Sequence, residues 1–262
     1  MNFYLAFSFL KHALTAHNRR GHGIHSPHLF RLVNDVLPSK NPYYCFEKIE
    51  PIRQKLLTNP QVIEMHDFGT KGKKNPRYNV VIQSVAKNTL MPAHEAQQIF
   101  RLLIDLQKPC VCVELGTSLG ITTAYLASAN SQNKVYTFEG AEKIADIAVE
   151  IWHKLNLQNI ELIRGNINET LPHFLNQLKT PIDFAILDAN HTFEATMQYF
   201  EQITQHIHQK TIVVVDDIHA SGEMHQAWKR ICQHPLVTAT VDMFAFGLVF
   251  FDSHYIKQEF IC

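Results

Sequence analysis

Two stretches of the chain end an apolar run in carboxylates. In TIVVVDDIH, residues 211–215 run into Asp216 and Asp217, and His219 follows. Adjacent carboxylates repel, and burying one uncompensated charge is costly. Either the pair sits in water at a strand end, or something cationic sits between its members. The stretch ILDANH repeats the pattern with Asp188, and His191 follows three residues on. Three carboxylates suit a hard divalent cation such as Mg²⁺, which would lower the pKa of a coordinated hydroxyl. A third stretch, VELGTSLG, holds Glu114, Gly116 and Gly120 in the pattern E-x-G-x-x-x-G. Gly116 permits a tight turn and close backbone approach to a ligand. Gly120 lets a following helix start near the strand. The next apolar run ends in Glu139, where a carboxylate can bind both hydroxyls of a ribose. The one after it ends in Asn166, which can hydrogen-bond an adenine edge.

Such residues work together only if strand ends gather them. The chain divides near Lys108-Pro109. Before it the pattern is helical and irregular. Ser26 reads as an N-cap with Pro27 at the first helical position. PAHEAQQIFRLLIDLQ reads as a helix ended by Pro109, and DFGTKGKKNPRYN as a loop. After Pro109, seven short apolar runs follow, and amphipathic stretches lie between the first six. That alternation predicts a mostly parallel sheet with helices on both faces. The last two runs, VTATVDMF and GLVFF, are too close for a crossover helix, so they must form an antiparallel hairpin. Ligands of such sheets bind beyond the carboxyl ends of the strands. Neighbouring parallel strands would bring Asp188, Asp216 and Asp217 to one rim.

With the glycine turn, Glu139, Asn166, Asp188 and the closing hairpin in sequence, residues 109–262 resemble a class I S-adenosylmethionine-dependent methyltransferase. The ELGTSLG form is similar to that of the small-molecule O-methyltransferases related to catechol O-methyltransferase. A diphosphate-binding G-x-G-x-x-G is absent, which argues against NAD. The resemblance implies a Rossmann-like α/β methyltransferase fold with a seven-stranded, mostly parallel sheet, and an N-terminal helical cap over residues 1–108. It implies that Glu114, Gly116, Thr117, Ser118 and Gly120 form the cofactor turn and that Glu139 holds the ribose. Asn166 and Ile167 would face the adenine; family members often have Asp where Asn166 stands. Metal-dependent members use an Asp after the fourth strand and an Asp-Asn pair after the fifth; here the pair is Asp-Asp. Antibiotic sugar O-methyltransferases, which also look similar, carry an Asp-x-x-His element whose histidine is the general base. Asp188 and His191 match it, so His191 is the expected base and Asp188 serves both cofactor and metal.

The expected reaction is methyl transfer to a hydroxyl of a small-molecule acceptor, assisted by a divalent metal. Two alternatives stay open: a metal-independent O- or N-methyltransferase using His191, and a non-catalytic cofactor-binding module. Asp216 could simply cap a helix, and His191 could be an ordinary loop histidine. His219 reads as structural, hydrogen-bonded to a carboxylate.

The 24 basic and 24 acidic residues balance, so nothing suggests capture of nucleic acid or of an anionic membrane. Five cysteines, an odd number in a chain too large to need staples, fit a reduced cytoplasmic compartment. Cys110 and Cys112 read as small buried strand residues. The apolar N-terminus is too short to span a bilayer and lacks the features of a signal peptide. Its Tyr4, Phe7, Leu10 and Leu14 fall at helical spacing, on a helix packed on the body or on a partner subunit, which leaves a homodimer open. His22, His25 and His28 are spaced by three, but Gly21, Gly23 and Pro27 disfavour a helical metal stripe; a solvated loop or a lid fits better.

Overall fold

The computed structural model describes residues 3–66 and 77–262. The Asp67-Phe68-Gly69 triplet and most of its expected loop lie outside the described residues. In chain order the elements are α1 (Phe3–Thr15), α2 (Pro27–Arg31), α3 (Tyr44–Leu57), β1 (Val62–His66), β2 (Arg77–Val81), α4 (Ile82–Thr89) and α5 (Ala93–Asp105). Then come β3 (Val111–Leu115), α6 (Ile121–Ala129), β4 (Lys134–Glu139), α7 (Glu142–Lys154), β5 (Ile160–Arg164), α8 (Ile167–Gln177), β6 (Ile182–Leu187), α9 (Phe193–Thr204) and β7 (Ile207–Asp216). The chain closes with α10 (Gly222–Cys232), β8 (Ala239–Asp242), β9 (Phe246–Phe250) and β10 (Gln258–Ile261). These elements pack as two compact units, Lys40–Gln177 and Met1–Ser39 with Leu178–Cys262.

In the unit Lys40–Gln177, β3, β4 and β5 pair in parallel. Each crossover is a helix whose apolar face is buried, as βαβ geometry requires. The α6 helix buries Tyr125 and Leu126, and α7 buries Ile144, Ile151 and Trp152. In α5, Ala96, Ile99, Phe100 and Leu103 share the i, i+3, i+4, i+7 face and are buried. The β1–β2 antiparallel pair was not foreseen, and RYN, at the start of β2, falls in the stretch that reads as loop.

In the second unit, β6 and β7 are parallel and β9 runs antiparallel to both β7 and β8. All six residues of β6 are buried, as expected of a parallel strand covered on both faces. The expected hairpin is therefore present as β8 and β9. The expected count of seven strands is corrected: besides β1 and β2, the described residues hold eight. The additional strand, β10, pairs in parallel with β8. It was missed because it is four residues long and only Phe260 among them is buried.

Ser26 accepts a hydrogen bond from the Leu29 N–H and caps α2, with Pro27 first in the helix, as expected. The helix α1 also forms, but Phe7 and Leu14 are 69% and 72% exposed, so the face carrying them does not pack on the body. The buried residue of that helix is His12. All five cysteines are free thiols, and Cys110 and Cys112 are buried. No helix among the described residues is long and apolar enough to cross a membrane.

Candidate active site

Chemistry-bearing side chains gather at strand ends in each unit. In the unit Lys40–Gln177 the chain leaves β3 through Gly116, whose φ of 103° lies in the region only glycine enters freely. The Gly116 and Thr117 N–H groups both donate to the Phe138 carbonyl. The turn is thereby fastened to β4 just before Glu139. Ser118 takes φ 47°, costly for a residue with a Cβ. Its N–H donates to Glu139 Oε2 at 2.8 Å, while the Ala141 N–H donates to Oε1 at 2.8 Å. Glu139 is thus held across the glycine turn with lone pairs to spare on both oxygens. Burial raises its pKa, and the backbone donors oppose that. The Ser118 hydroxyl also meets Thr89 Oγ1 at 2.6 Å.

Gly120 is fixed by packing. At φ 72°, an added Cβ would stand 2.7 Å from both Ala148 Cβ and Trp152 Nε1, and Trp152 donates to the Gly120 carbonyl. Glu114 lies fully inside. Its Oε2 accepts from Thr137 Oγ1 at 2.6 Å and from Thr123 Oγ1. Since Thr137 spends its proton there, the Thr117 hydroxyl, 2.6 Å away, must donate to Thr137. Oε1 of Glu114 is buried with no hydrogen-bond partner. Burial pushes this carboxyl up to about 7. Asn166 uses its Oδ1 to accept the Asn168 N–H at the start of α8, and its carbonyl accepts from Thr170. Its role as a helix cap, unforeseen in the sequence, occupies that oxygen. Ile167 is the first residue of α8 and half-buried. A cavity of about 400 Å³ in the same unit, lined by Lys48, Ser128, Asn156 and others, includes none of these residues.

In the second unit, Asp188 follows β6 and Asp216 ends β7. The chain turns at Asp217 (φ 55°), and Asn190 and His191 also take positive φ, 62° and 36°. Asn190 donates to the Tyr199 hydroxyl, which steadies that turn. These bends bring four predicted residues together. His191 Nε2 lies 3.3 Å from Asp188 Oδ1, and its Nδ1 lies 3.8 Å from Asp217 Oδ2. Asp216 is driven well above the ordinary carboxylate range, first by burial, then by the charges of Asp188 and Asp217; His191 opposes this. Crowded carboxylates of this kind raise one another's affinity for a proton or a hard cation. His219 bonds a carboxylate as expected, but that carboxylate is Asp242, at 2.8 Å. His22 and His25 are exposed, and His28 meets the Tyr255 hydroxyl at 2.6 Å, so the three form no ligand cluster.

Residues 113–218 match the family described as "Methyltransferase domain". Comparison with curated protein sequences gives no match. Solved structures share the fold. The O-methyltransferase from Bacillus cereus, in complex with S-adenosylhomocysteine, superposes with TM-score 0.56 at 20% identity, over 85% of this chain and 97% of that one. The O-methyltransferase TomG from Streptomyces achromogenes, involved in tomaymycin synthesis and bound to S-adenosylmethionine, gives 0.55 at 19%, over 63% and 82%. A methyltransferase of Podospora anserina bound to S-adenosylhomocysteine gives 0.51 at 14%, over 82% and 100%. The chain has the Rossmann-like fold of class I methyltransferases, and its segment 113–218 matches the methyltransferase-domain family.

Proposed function

We propose that the protein transfers a methyl group from S-adenosylmethionine to a hydroxyl of a small-molecule acceptor, with a divalent cation assisting. The observation that carries the reading is the convergence of Asp188, Asp217 and Asp216 on His191. Gly116 and Ser118 shape the turn that receives the cofactor, and Glu139 holds its ribose hydroxyls. The orphaned Oε1 of Glu114 and the spare lone pairs of Glu139 are polar capacity that such a ligand fits. The cofactor supplies an electrophilic methyl on a sulfonium. A Mg²⁺ held by Asp188, Asp216 and Asp217 would acidify the acceptor hydroxyl. Asp188 orients His191 through Nε2, leaving Nδ1 to take the acceptor's proton. Residues 1–108 would select the acceptor.

A metal-independent reading has one observation in its favour. Asp216 is pushed well above the carboxylate range beside Asp188, and a proton shared between the two would relieve the like charges without a cation. Turnover of a panel of catechols, phenols and sugars, with and without chelator, separates the two. We expect chelator to abolish turnover. Unimpaired turnover would select the histidine-only mechanism. Calorimetry showing no response to S-adenosylmethionine or S-adenosylhomocysteine would overturn both.

A further inference from the structure

We propose that His12, His219 and Asp242 form a binding site for a divalent transition metal of the Zn²⁺ type, separate from the carboxylate cluster described above. The three come from α1, from the turn after β7, and from the end of β8, all within one compact unit. All three are buried, and their donor atoms lie within 4.8 Å of one another. His219 Nε2 is 2.8 Å from Asp242 Oδ2, and His12 Nε2 is 3.0 Å from Oδ1. Zinc bonds of about 2.0–2.1 Å in a tetrahedron imply donor–donor edges of about 3.3 Å, so the two nitrogen–oxygen spacings need only a slight opening. Two imidazole nitrogens and one carboxylate favour zinc-like ions over Mg²⁺.

Hydrogen bonding alone does not account for the cluster. His12 Nε2 is buried and close to Oδ1 yet makes no hydrogen bond with it. Oδ1 already accepts the Phe244 N–H at 2.9 Å. A nitrogen beside a carboxylate oxygen but not directed at it is the arrangement of two donors that face a common third point. A second orphan lies nearby: His225 Nδ1 is buried without a partner, and its ring centroid is 5.1 Å from that of His219. It offers a further donor for a fourth position, directly or through a water. The surroundings would also steady the ligands. Phe244 stacks on the His219 ring at 5.2 Å and meets His12 edge-on, and Phe9 packs against Phe244. Such an apolar shell with an oriented carboxylate is what holds metal-ligating imidazoles in place. The bound ion would tie α1 to the strand end carrying Asp242.

The test uses the full chain, stripped with chelator, dialysed against Zn²⁺ and assayed for metal content. We expect one tightly retained equivalent that His12→Gln and Asp242→Asn lose and that Asp188→Asn and Asp217→Asn keep. Co²⁺ loaded into the wild-type chain should give the intense visible bands of a four-coordinate site, independent of whether any variant folds. His12→Gln retaining as much zinc as wild type would overturn the proposal. So would a cobalt spectrum indistinguishable from that of the six-coordinate aquo ion.

Discussion

Two histidine–aspartate clusters, whose members Asp217 and His219 stand two residues apart in sequence, behave oppositely. At one, the side chains of Asp188, His191 and Asp217 are 18%, 36% and 51% exposed, and the chain bends outward at Asp217. At the other, His12, His219 and Asp242 are 3%, 10% and 9% exposed. The carboxylates respond accordingly. Asp216, half-buried and facing Asp188 and Asp217, is pushed up. For Asp242, burial alone would act the same way, but the imidazoles of His12 and His219 beside it outweigh that and hold the carboxyl well below the usual range. Residue type does not separate a group that can exchange protons with a substrate from one that is locked. Partner sign and water access do.

The largest effect that would sharpen this contrast is on turnover. His191→Ala should lower kcat by about 10²–10⁴-fold. His12→Gln should leave kcat within a few-fold of wild type while lowering the thermal midpoint. Steady-state kinetics beside a melting curve reads both, and equal losses of kcat would erase the distinction between the clusters.

Glu114 carries the same rule into the other unit: burial raises its pKa to about 7, and its neutral hydroxyl partners oppose this only in part. An acid whose folded pKa is raised gives stability that is present below its unfolded value and lost as pH climbs through the folded one. The fold should therefore lose on the order of 3 kcal/mol between about pH 4.5 and pH 7 from this group. Urea denaturation across that range should show the slope in wild type and its absence in Glu114→Gln. A parallel slope in both would mean that Glu114 is not its source.

Glu139 sits between the extremes, half-buried and supplied with two backbone donors. Its replacement by alanine should weaken S-adenosylhomocysteine binding by roughly 1–3 kcal/mol, measured by calorimetry. Unchanged affinity would remove it from the cofactor site. The smallest effect is expected from Asn190→Ala, which loses the bond to Tyr199 at a left-handed position and should cost about 1–2 kcal/mol of stability. A larger fall in kcat than in stability would show that this turn positions His191.

The strands β3 to β9 were legible because each carries a short apolar run, buried in all but the half-exposed β5, and such faces are written in residue type. The glycine turn was legible because φ near 100° at Gly116 demands glycine. The gathering of Asp188, His191, Asp216 and Asp217 was readable as soon as each was placed at a strand end. Tertiary structure decided the rest. The strand β10 forms because β8 offers an unpaired edge, which its own polar residues do not announce. Gly120 is required by Trp152, thirty-two residues away. Tyr4, Phe7, Leu10 and Leu14 gave the helix α1, but no local pattern says which of its faces turns inward. His12 meets Asp242 across 230 positions of chain, and only packing brings together donors that far apart.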